Sequence, residues 1–476
     1  MHIHFVGIGG TAMGSVAVAC ALQGHTVTGS DGPVYEPMRS VLAKAGIERY
    51  EEFSSARLIE LQPDITVIGN AISRGNEELE FVLQERWPFT SMAELVGRLF
   101  IDRNTSIVCA GTHGKTTTSS ITAWLLEHAG FQPGYLIGGV PQNFEYGCRP
   151  LSPELHNSHT GVFVSEGDEY DTAFFDKRSK FVHYRPTIAI VNNLEFDHAD
   201  IFSSIDAIIA SFVQMIRIIP QDGIALVNAD DKNALATVVN APCKVESVGL
   251  STSSSWRIVD VIEVGPTTQW SLHYNGVMHG TFVLPMPGIH NVRNATMAIA
   301  ATFHAGLTSE EQQAAMPLFA PPKRRLEEIG TWNSATIIDD FAHHPTAIAL
   351  SIKALQQKYP AAQLHIVFEP RSNTTTRNFF QSELALCFTG ATSVCLGPVN
   401  RPERYRIEER LDTQRLVQDI CSIGISAVSL DSSLSADPHW GSHAIAFLEG
   451  RVSPGDVVAI FSNGDVGGLR RMLTVE

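Results

Sequence analysis

The run Val108-Cys109-Ala110-Gly111-Thr112-His113-Gly114-Lys115-Thr116-Thr117-Thr118 constrains the fold of this chain more than any other stretch. Residues 106–110 read as a buried strand, the two glycines as a tight loop, and 115–129 as a helix. A strand passing through a glycine loop into a helix is half of a βαβ unit, which requires a parallel sheet. The same loop selects a ligand. Backbone N–H groups around Gly111 and Gly114 close on a phosphate, and the helix N-terminus adds its positive end. Lys115 reaches outer phosphate oxygens, and Thr116 offers a hydroxyl to magnesium. Only two residues separate the glycines, against four in the standard phosphate loop, so the flanking strand and helix support the ATP-site reading.

A second glycine-rich turn lies near the start. Residues 3–7 read as a strand, followed by Gly7-Ile8-Gly9-Gly10-Thr11-Ala12-Met13-Gly14 and a helix to Leu22. A strand over 26–29 ends at Ser30-Asp31. Gly7, Gly9 and Ala12 fit the dinucleotide fingerprint, with Asp31 where a ribose-binding acid belongs. Taken alone, that geometry suits a nicotinamide cofactor or another nucleotide diphosphate such as UDP. A further strand, 64–69, leads into Asn70-Ala71 and a polar loop to Asn76. It is a ligand-facing loop or a plain connecting turn.

Two acidic strand ends follow the phosphate loop. A short strand at 162–164 runs into Ser165-Glu166-Gly167-Asp168-Glu169-Tyr170-Asp171, and one at 187–191 into Asn192-Asn193-Leu194-Glu195-Phe196-Asp197-His198. With Lys115 and Thr116 they supply the oxygen ligands and the cation that metal-assisted phosphoryl transfer needs. Lys177, Arg178 and Lys180 lie between the clusters, either solvated or meeting acidic substrate groups. Residues 205–219 form an amphipathic helix, and alternation over 251–284 predicts antiparallel hairpins. Asn291 and Asn294 share one face near the start of another helix, suited to base or phosphate recognition or to capping. Strands at 336–338, 363–368, 393–396 and 457–461 alternate with helices in the last third. Lys323-Arg324-Arg325, the run 339–345 and Glu369-Pro370-Arg371-Ser372-Asn373-Thr374 sit at strand ends there, as a ligand rim would.

Composition narrows the function classes. A net charge of −16 argues against nonspecific nucleic-acid binding. No apolar run reaches the eighteen residues of a membrane span. Seven cysteines are scattered without a C-x-x-C pair, which argues against a disulfide framework or zinc cluster and suggests the cytoplasm. The strand-like opening is read as leaving no room for a signal peptide. The length suits about three domains, placed at 1–104, 105–320 and 321–476.

In this order, Gly9-Gly10, 111–117, Glu166, the run 195–198, His290-Asn291-x-x-Asn294, Arg325 and 340–343 resemble the Mur ligase family. These ATP-dependent enzymes build the peptide of bacterial cell-wall precursors. The resemblance implies an α/β chain of three domains: a Rossmann-like UDP-binding domain, a central P-loop ATPase domain and a Rossmann-like C-terminal domain that brings the amine. It implies ATP and Mg2+, and an acyl phosphate between carboxylate and amide. Gly111, Thr112, His113, Gly114, Lys115, Thr116 and Thr117 would hold the ATP phosphates. Asn291 and Asn294 would lie by adenine, Arg325 on the phosphates, and Asp340 with His343 at the ribose end. Thr116, Glu166 and His198 would hold magnesium, and Lys115, Glu166, His198 and Arg325 would serve catalysis. Gly9, Gly10, Thr11, Met13, Gly14, Ser30, Asp31, Asn70 and Ala71 would meet the UDP-sugar.

Details within the family point to one branch. Several branches carry a carbamylated lysine in the helix after the second acidic cluster, whereas 203–220 here contains Arg217 and no lysine. That resembles the muramate–alanine ligases, which read H-R-Y-T-R-T-R where this chain reads Arg371-Ser372-Asn373-Thr374-Thr375-Thr376-Arg377. Ser372 and Thr375 thus replace two arginines that would hold alanine's carboxylate. The loops 138–144, 171–181 and 369–374 are similar to the branch that joins recycled L-Ala-γ-D-Glu-meso-diaminopimelate to UDP-N-acetylmuramate. His344, Arg371, Asn373 and Arg377 would meet that peptide. Other readings are the alanine ligase and, from 7–12 with Asp31 alone, a nicotinamide-dependent oxidoreductase. No membrane or nucleic-acid partner is expected, and the chain would be a monomer or weak homo-oligomer.

Overall fold

The computed structural model describes residues 1–36 and 38–474. Three sheets organise them. The first is fully parallel, in the order β3-β2-β1-β4-β5, from β1 (His2–Val6), β2 (Thr26–Ser30), β3 (Glu48–Tyr50), β4 (Ile65–Ile68) and β5 (Phe89–Ser91). The order reverses between β1 and β4, so the crevice beyond their carboxyl ends lies between the turn at Gly7 and the loop at Asn70. Helix α1 (Thr11–Leu22) is buried from Met13 to Cys20, as an apolar helix covering a sheet must be.

The second sheet has ten strands, ordered β17-β16-β15-β14-β13-β12-β6-β9-β7-β8. Its middle holds β6 (Thr105–Ala110), β9 (Val162–Gly167) and β12 (Ile188–Val191), all buried and parallel. Flanking them are β7 (Gly134–Leu136), β8 (Cys148–Arg149), β13 (Ile224–Asn228) and β14 (Lys244–Gly249). A two-stranded ribbon of β10 (Asp171–Ala173) and β11 (Asp176–Ser179) stands apart. The alternating stretch after 251 forms the expected antiparallel hairpins, joined as a meander of β15 (Trp256–Val264), β16 (Thr267–Tyr274) and β17 (Val277–Leu284). β15 joins β14 in parallel, so the meander extends the ATPase sheet. Behind β6 run helix α2 (Lys115–His128) and, against it, α4 (Ile289–His304); α3 (Ile205–Arg217) follows β12.

The third sheet is ordered β18-β19-β23-β20-β21-β22, from β18 (Glu327–Trp332), β19 (Ala335–Asp340), β20 (Leu364–Phe368), β21 (Ser393–Leu396), β22 (Ser426–Ser429) and β23 (Val457–Phe461). Only the β18–β19 pair is antiparallel. Helix α5 (Pro345–Lys358) starts directly after β19. Cores of the first and second sheets are continuous, with Phe100 stacked on Phe163 at 6.2 Å. Among the described residues no helix is long and apolar enough to cross a membrane.

Candidate active site

Because β12, β6 and β9 are adjacent and parallel, their carboxyl ends deliver three loops to one place: 192–198, the phosphate loop and 166–171. The phosphate loop needs both its glycines. Gly111 has φ +139°, and a Cβ there would stand 3.0 Å from that of Asn192; Gly114 has φ +82°, and a Cβ would meet Asn294 Oδ1 at 2.3 Å. Asn294 therefore lies against the loop. Asn291, on the same helical face, donates to the carbonyl of Pro287 at 2.8 Å.

Lys115 folds back over the loop, donating to the carbonyls of Gly111 (2.7 Å) and Thr112 (3.2 Å) and to Glu169 Oε1 (3.1 Å). Burial works against its charge, but Glu169, Asp168 and Glu166 outweigh that and hold its pKa up. Thr116 donates to Glu166 Oε1 at 3.1 Å, while Glu166 Oε2 accepts from the amide of Gly138 at 2.8 Å. Glu166 belongs to β9 itself, since pairing with β6 continues through Cys109–Glu166 and Ala110–Gly167, three residues beyond the strand end expected from hydropathy. Burial pushes the Glu166 carboxyl up, more than Lys115 and Gly138 bring it down. A hydroxyl and a carboxylate in contact are hard oxygen donors that fit magnesium.

His198 lies across from them, its Nε2 3.0 Å from Glu169 Oε1. Burial opposes its protonation, yet Glu169 and Asp197 hold its pKa above the ordinary value. Its backbone is left-handed (φ +54°), a conformation costing about 1–2 kcal/mol and kept only where neighbours over-determine it. Here the Asp197 carboxylate accepts the His198 amide at 2.7 Å. Glu169, 2% exposed, is the carboxylate that joins Lys115 to His198. Its cluster was visible in sequence, but which of four acids turns inward was not. Lys180 proves buried against Asp168 at 2.5 Å, whereas Lys177 and Arg178 are exposed and paired with Asp171 and Asp176.

The third sheet closes over this region. Arg325 donates to Thr116 Oγ1 at 3.3 Å. Asp340 accepts from the amides of Leu326 (2.8 Å) and Ala342 (2.7 Å), so one oxygen holds the segment that carries Arg325 and the other turns its own loop. His343 Nε2 stands 3.9 Å from Asp197, and Thr374 donates to Asp197 at 2.6 Å. His344, 4% exposed, lies beside His113 with ring centroids 4.7 Å apart. Thr346 donates to Glu195 at 2.9 Å. On the loop after β20, Ser372 and Thr375 bond each other at 2.8 Å, and Thr375 is fully buried. Arg371 pairs with Glu369 at 3.2 Å; Arg377 approaches Glu409 at 3.4 Å and stacks over Phe379 and Tyr405. Asn373 accepts from Tyr405 OH at 3.4 Å.

At the first sheet, Asp31 accepts the amides of Gly9 (2.7 Å) and Gly32 (2.8 Å) and borders a cleft of about 300 Å³ lined also by Thr11 and Tyr35. Gly10, Asn70 and Ala71 are exposed beside the turn. Ser30 turns inward instead: its hydroxyl is fully buried and donates to Glu78, leaving only its backbone, which accepts from Gly7 and Ile8. Met13 and Gly14 lie beneath the turn, Gly14 against Met38.

Comparison with known proteins agrees across the chain. The family described as "Mur ligase family, catalytic domain" matches residues 2–103, "Mur ligase middle domain" 109–302, and "Mur ligase, glutamate ligase domain" 324–464. A protein of Escherichia coli named UDP-N-acetylmuramate–L-alanyl-γ-D-glutamyl-meso-2,6-diaminoheptandioate ligase is 37% identical over 99% of this chain and 97% of its own length. A UDP-N-acetylmuramate–L-alanine ligase of Salinibacter ruber is 31% identical over 98% and 92%. Among solved structures, a murein peptide ligase of Psychrobacter arcticus superposes with a TM-score of 0.72 at 35% identity, covering 99% and 98%. An alanine ligase of Thermotoga maritima gives 0.77 at 21% identity, covering 99% and 98%, a likeness of fold. Phosphate loop, acidic strand ends and three α/β sheets thus occur together with matches along nearly the whole length, and the chain belongs to the Mur ligase family.

Proposed function

We propose that this enzyme uses ATP to join L-Ala-γ-D-Glu-meso-diaminopimelate to UDP-N-acetylmuramate through an amide bond, in recycling of cell-wall peptide in the cytoplasm. The division at 1–104, 105–320 and 321–476 gives UDP-sugar, ATP and amine a domain each. The observation that carries the peptide over alanine is the Ser372–Thr375 hydrogen bond. Two short hydroxyls that satisfy each other leave no guanidinium clamp on a carboxylate next to the attacking nitrogen. Arg371 and Arg377 remain on that loop, where planar, bidentate donors suit carboxylates further along a longer substrate. The relatives of Escherichia coli and Haemophilus influenzae, at 37% and 36% identity, carry the tripeptide in their names.

A carboxylate is a poor electrophile, so it must first be activated. Muramate carboxylate oxygen attacks the γ-phosphorus of ATP, forming an acyl phosphate and releasing ADP. The amine then attacks the acyl carbon, the C–N bond forms, the acyl C–O bond breaks, and phosphate leaves with the proton that the nitrogen gives up. Loop amides and Lys115 stabilise charge spreading over the transferred phosphoryl group, and Arg325 adds a cation from the opposite side. Thr116, Glu166 and His198 would hold magnesium, which screens the two anions that must meet. Phosphate release with UDP-N-acetylmuramate and either tripeptide or alanine tests the reading. Far higher kcat/KM for the tripeptide is expected; preference for alanine overturns it.

A further inference from the structure

Outside the magnesium-binding groups, one cluster is left electrostatically incomplete. His113 Nε2 lies 2.9 Å from Glu195 Oε2, and His344 Nδ1 lies 3.3 Å from the same oxygen. The three groups come from the phosphate loop, the loop after β12 and the first residue before α5.

Neutral His344 serves the Phe196 carbonyl and the Thr346 amide but leaves Glu195 Oε2 facing it unmatched. Its Nδ1 faces Glu195 Oε2 and the amide of Thr346 (3.3 Å), and its Nε2 faces the carbonyl oxygen of Phe196 (3.3 Å). With the proton on Nε2, Phe196 is satisfied and Nδ1 accepts from Thr346, but the Nδ1 side also meets a carboxylate oxygen. With the proton on Nδ1, the Nε2 lone pair meets a carbonyl oxygen. A second proton on Nδ1 would suit Glu195 but turn a donor toward the Thr346 amide, and burial, reinforced by His113, brings the His344 pKa down to about 4. Burial opposes ionisation of Glu195 too, but His113 outweighs it and keeps the carboxylate charged.

We propose that His113 Nε2, Glu195 Oε2 and His344 Nδ1 form a binding site for a zinc-class divalent cation that bridges the phosphate loop and the C-terminal domain. The candidate ligand atoms all lie within 4.8 Å of one another. In a tetrahedral site with bonds of about 2.0–2.1 Å, neighbouring ligands stand about 3.3 Å apart, close to the two separations from Glu195 Oε2, 2.9 and 3.3 Å. Two imidazoles among three ligands suit zinc, cobalt or nickel better than magnesium, whose ligands are mostly oxygen. The ion lies between His344 Nδ1 and Glu195 Oε2 and takes the Nδ1 lone pair that otherwise accepts from the Thr346 amide. It fastens α5 to the phosphate loop and so acts as a brake on domain opening.

Titration of the nucleotide-free full chain with Co2+, followed by visible absorption, tests this. One four-coordinate cobalt per chain is expected, reversed by chelator. His344→Asn retains a good helix N-cap but removes the ligand, and should weaken cobalt binding by about tenfold or more. Glu195→Gln should do the same with little change in shape, whereas Glu166→Gln should keep the cobalt bands. In small-angle scattering, Zn2+ should lower the radius of gyration of the wild type and leave His344→Asn unaffected. Absence of four-coordinate bands in the wild type overturns the proposal. So does equal binding by both ligand variants, or an NMR titration showing His344 doubly protonated at neutral pH.

Discussion

Lys115 has three oxygen partners before any phosphate arrives, the Gly111 and Thr112 carbonyls and Glu169. Nucleotide binding must exchange loop carbonyls for phosphate oxygens, a swap between satisfied states that costs little. Lys115→Ala should therefore leave the fold intact, as judged by circular dichroism. Losing a cation aimed at developing charge typically costs roughly 3 kcal/mol or more of barrier, so turnover should fall at least a hundredfold. Activity within tenfold of wild type would remove Lys115 from the chemistry. The residue itself was legible because glycines, lysine and threonine occur at fixed spacing between strand and helix. Its partner Glu169 was not, for four carboxylates within six residues look alike until the backbone decides which points in. Ser30 misled for the converse reason: its place at a strand end suggested a ligand contact, but its hydroxyl pairs with buried Glu78, a residue distant in sequence.

At the scale of elements, parallel strands with short loops were readable from buried apolar runs, while the length of β9 and the meander depended on pairing with other strands. Glu246 on β14 shows what fastens that meander. It accepts from Trp256 Nε1 and Tyr274 OH, both at 2.7 Å, and meets His304 of α4 at 2.9 Å and Lys244 at 2.7 Å. Nothing in the local sequence marks an acid inside the ten-stranded sheet as the meeting point of three other elements. Burial would raise its pKa, but bonds from His304, Lys244, Tyr274 and Trp256 bring it from 4.5 to about 2. A carboxyl held low contributes stability above its unfolded pKa and loses it as pH falls through the folded one. Glu246→Gln should destabilise the central domain by about 2 kcal/mol at neutral pH. Because the amide does not titrate, wild type and variant should converge in urea melts as pH drops from about 4.5 toward 2. A gap independent of pH would mean that packing, not charge, is what Glu246 provides.

In the reaction proposed above, an acyl phosphate made on the second sheet must meet an amine carried by the third, so turnover would depend on how the third sheet docks on the second. The loop 192–198 has two faces. Toward the phosphate loop, Asn193 accepts from the amides of Thr112 and His113. Toward the C-terminal side, Glu195 receives Thr346, Asp197 receives Thr374, and Phe196 packs edge-on against Phe379 at 5.5 Å. Asp197 is 4% exposed and its carboxyl is held well below the usual range, His198 and His343 overcoming the cost of burial. A buried charge of this kind is sensitive to losing one donor. Thr374→Val keeps shape but leaves an Asp197 oxygen without its hydroxyl only while the domains are docked, since solvent replaces it when they separate. The docked state should therefore lose about 1–3 kcal/mol, and the docking equilibrium constant should fall by a factor of about five to 150. Small-angle scattering should show a larger radius of gyration for the variant with ATP bound. In kinetics, kcat with the peptide should drop while the affinity for ATP, measured by titration, stays close to wild type, because no phosphate contact has been touched. If scattering and kcat both match the wild type, the Asp197–Thr374 bond is incidental, and docking rests on Arg325, Thr346 and the phenylalanine pair instead.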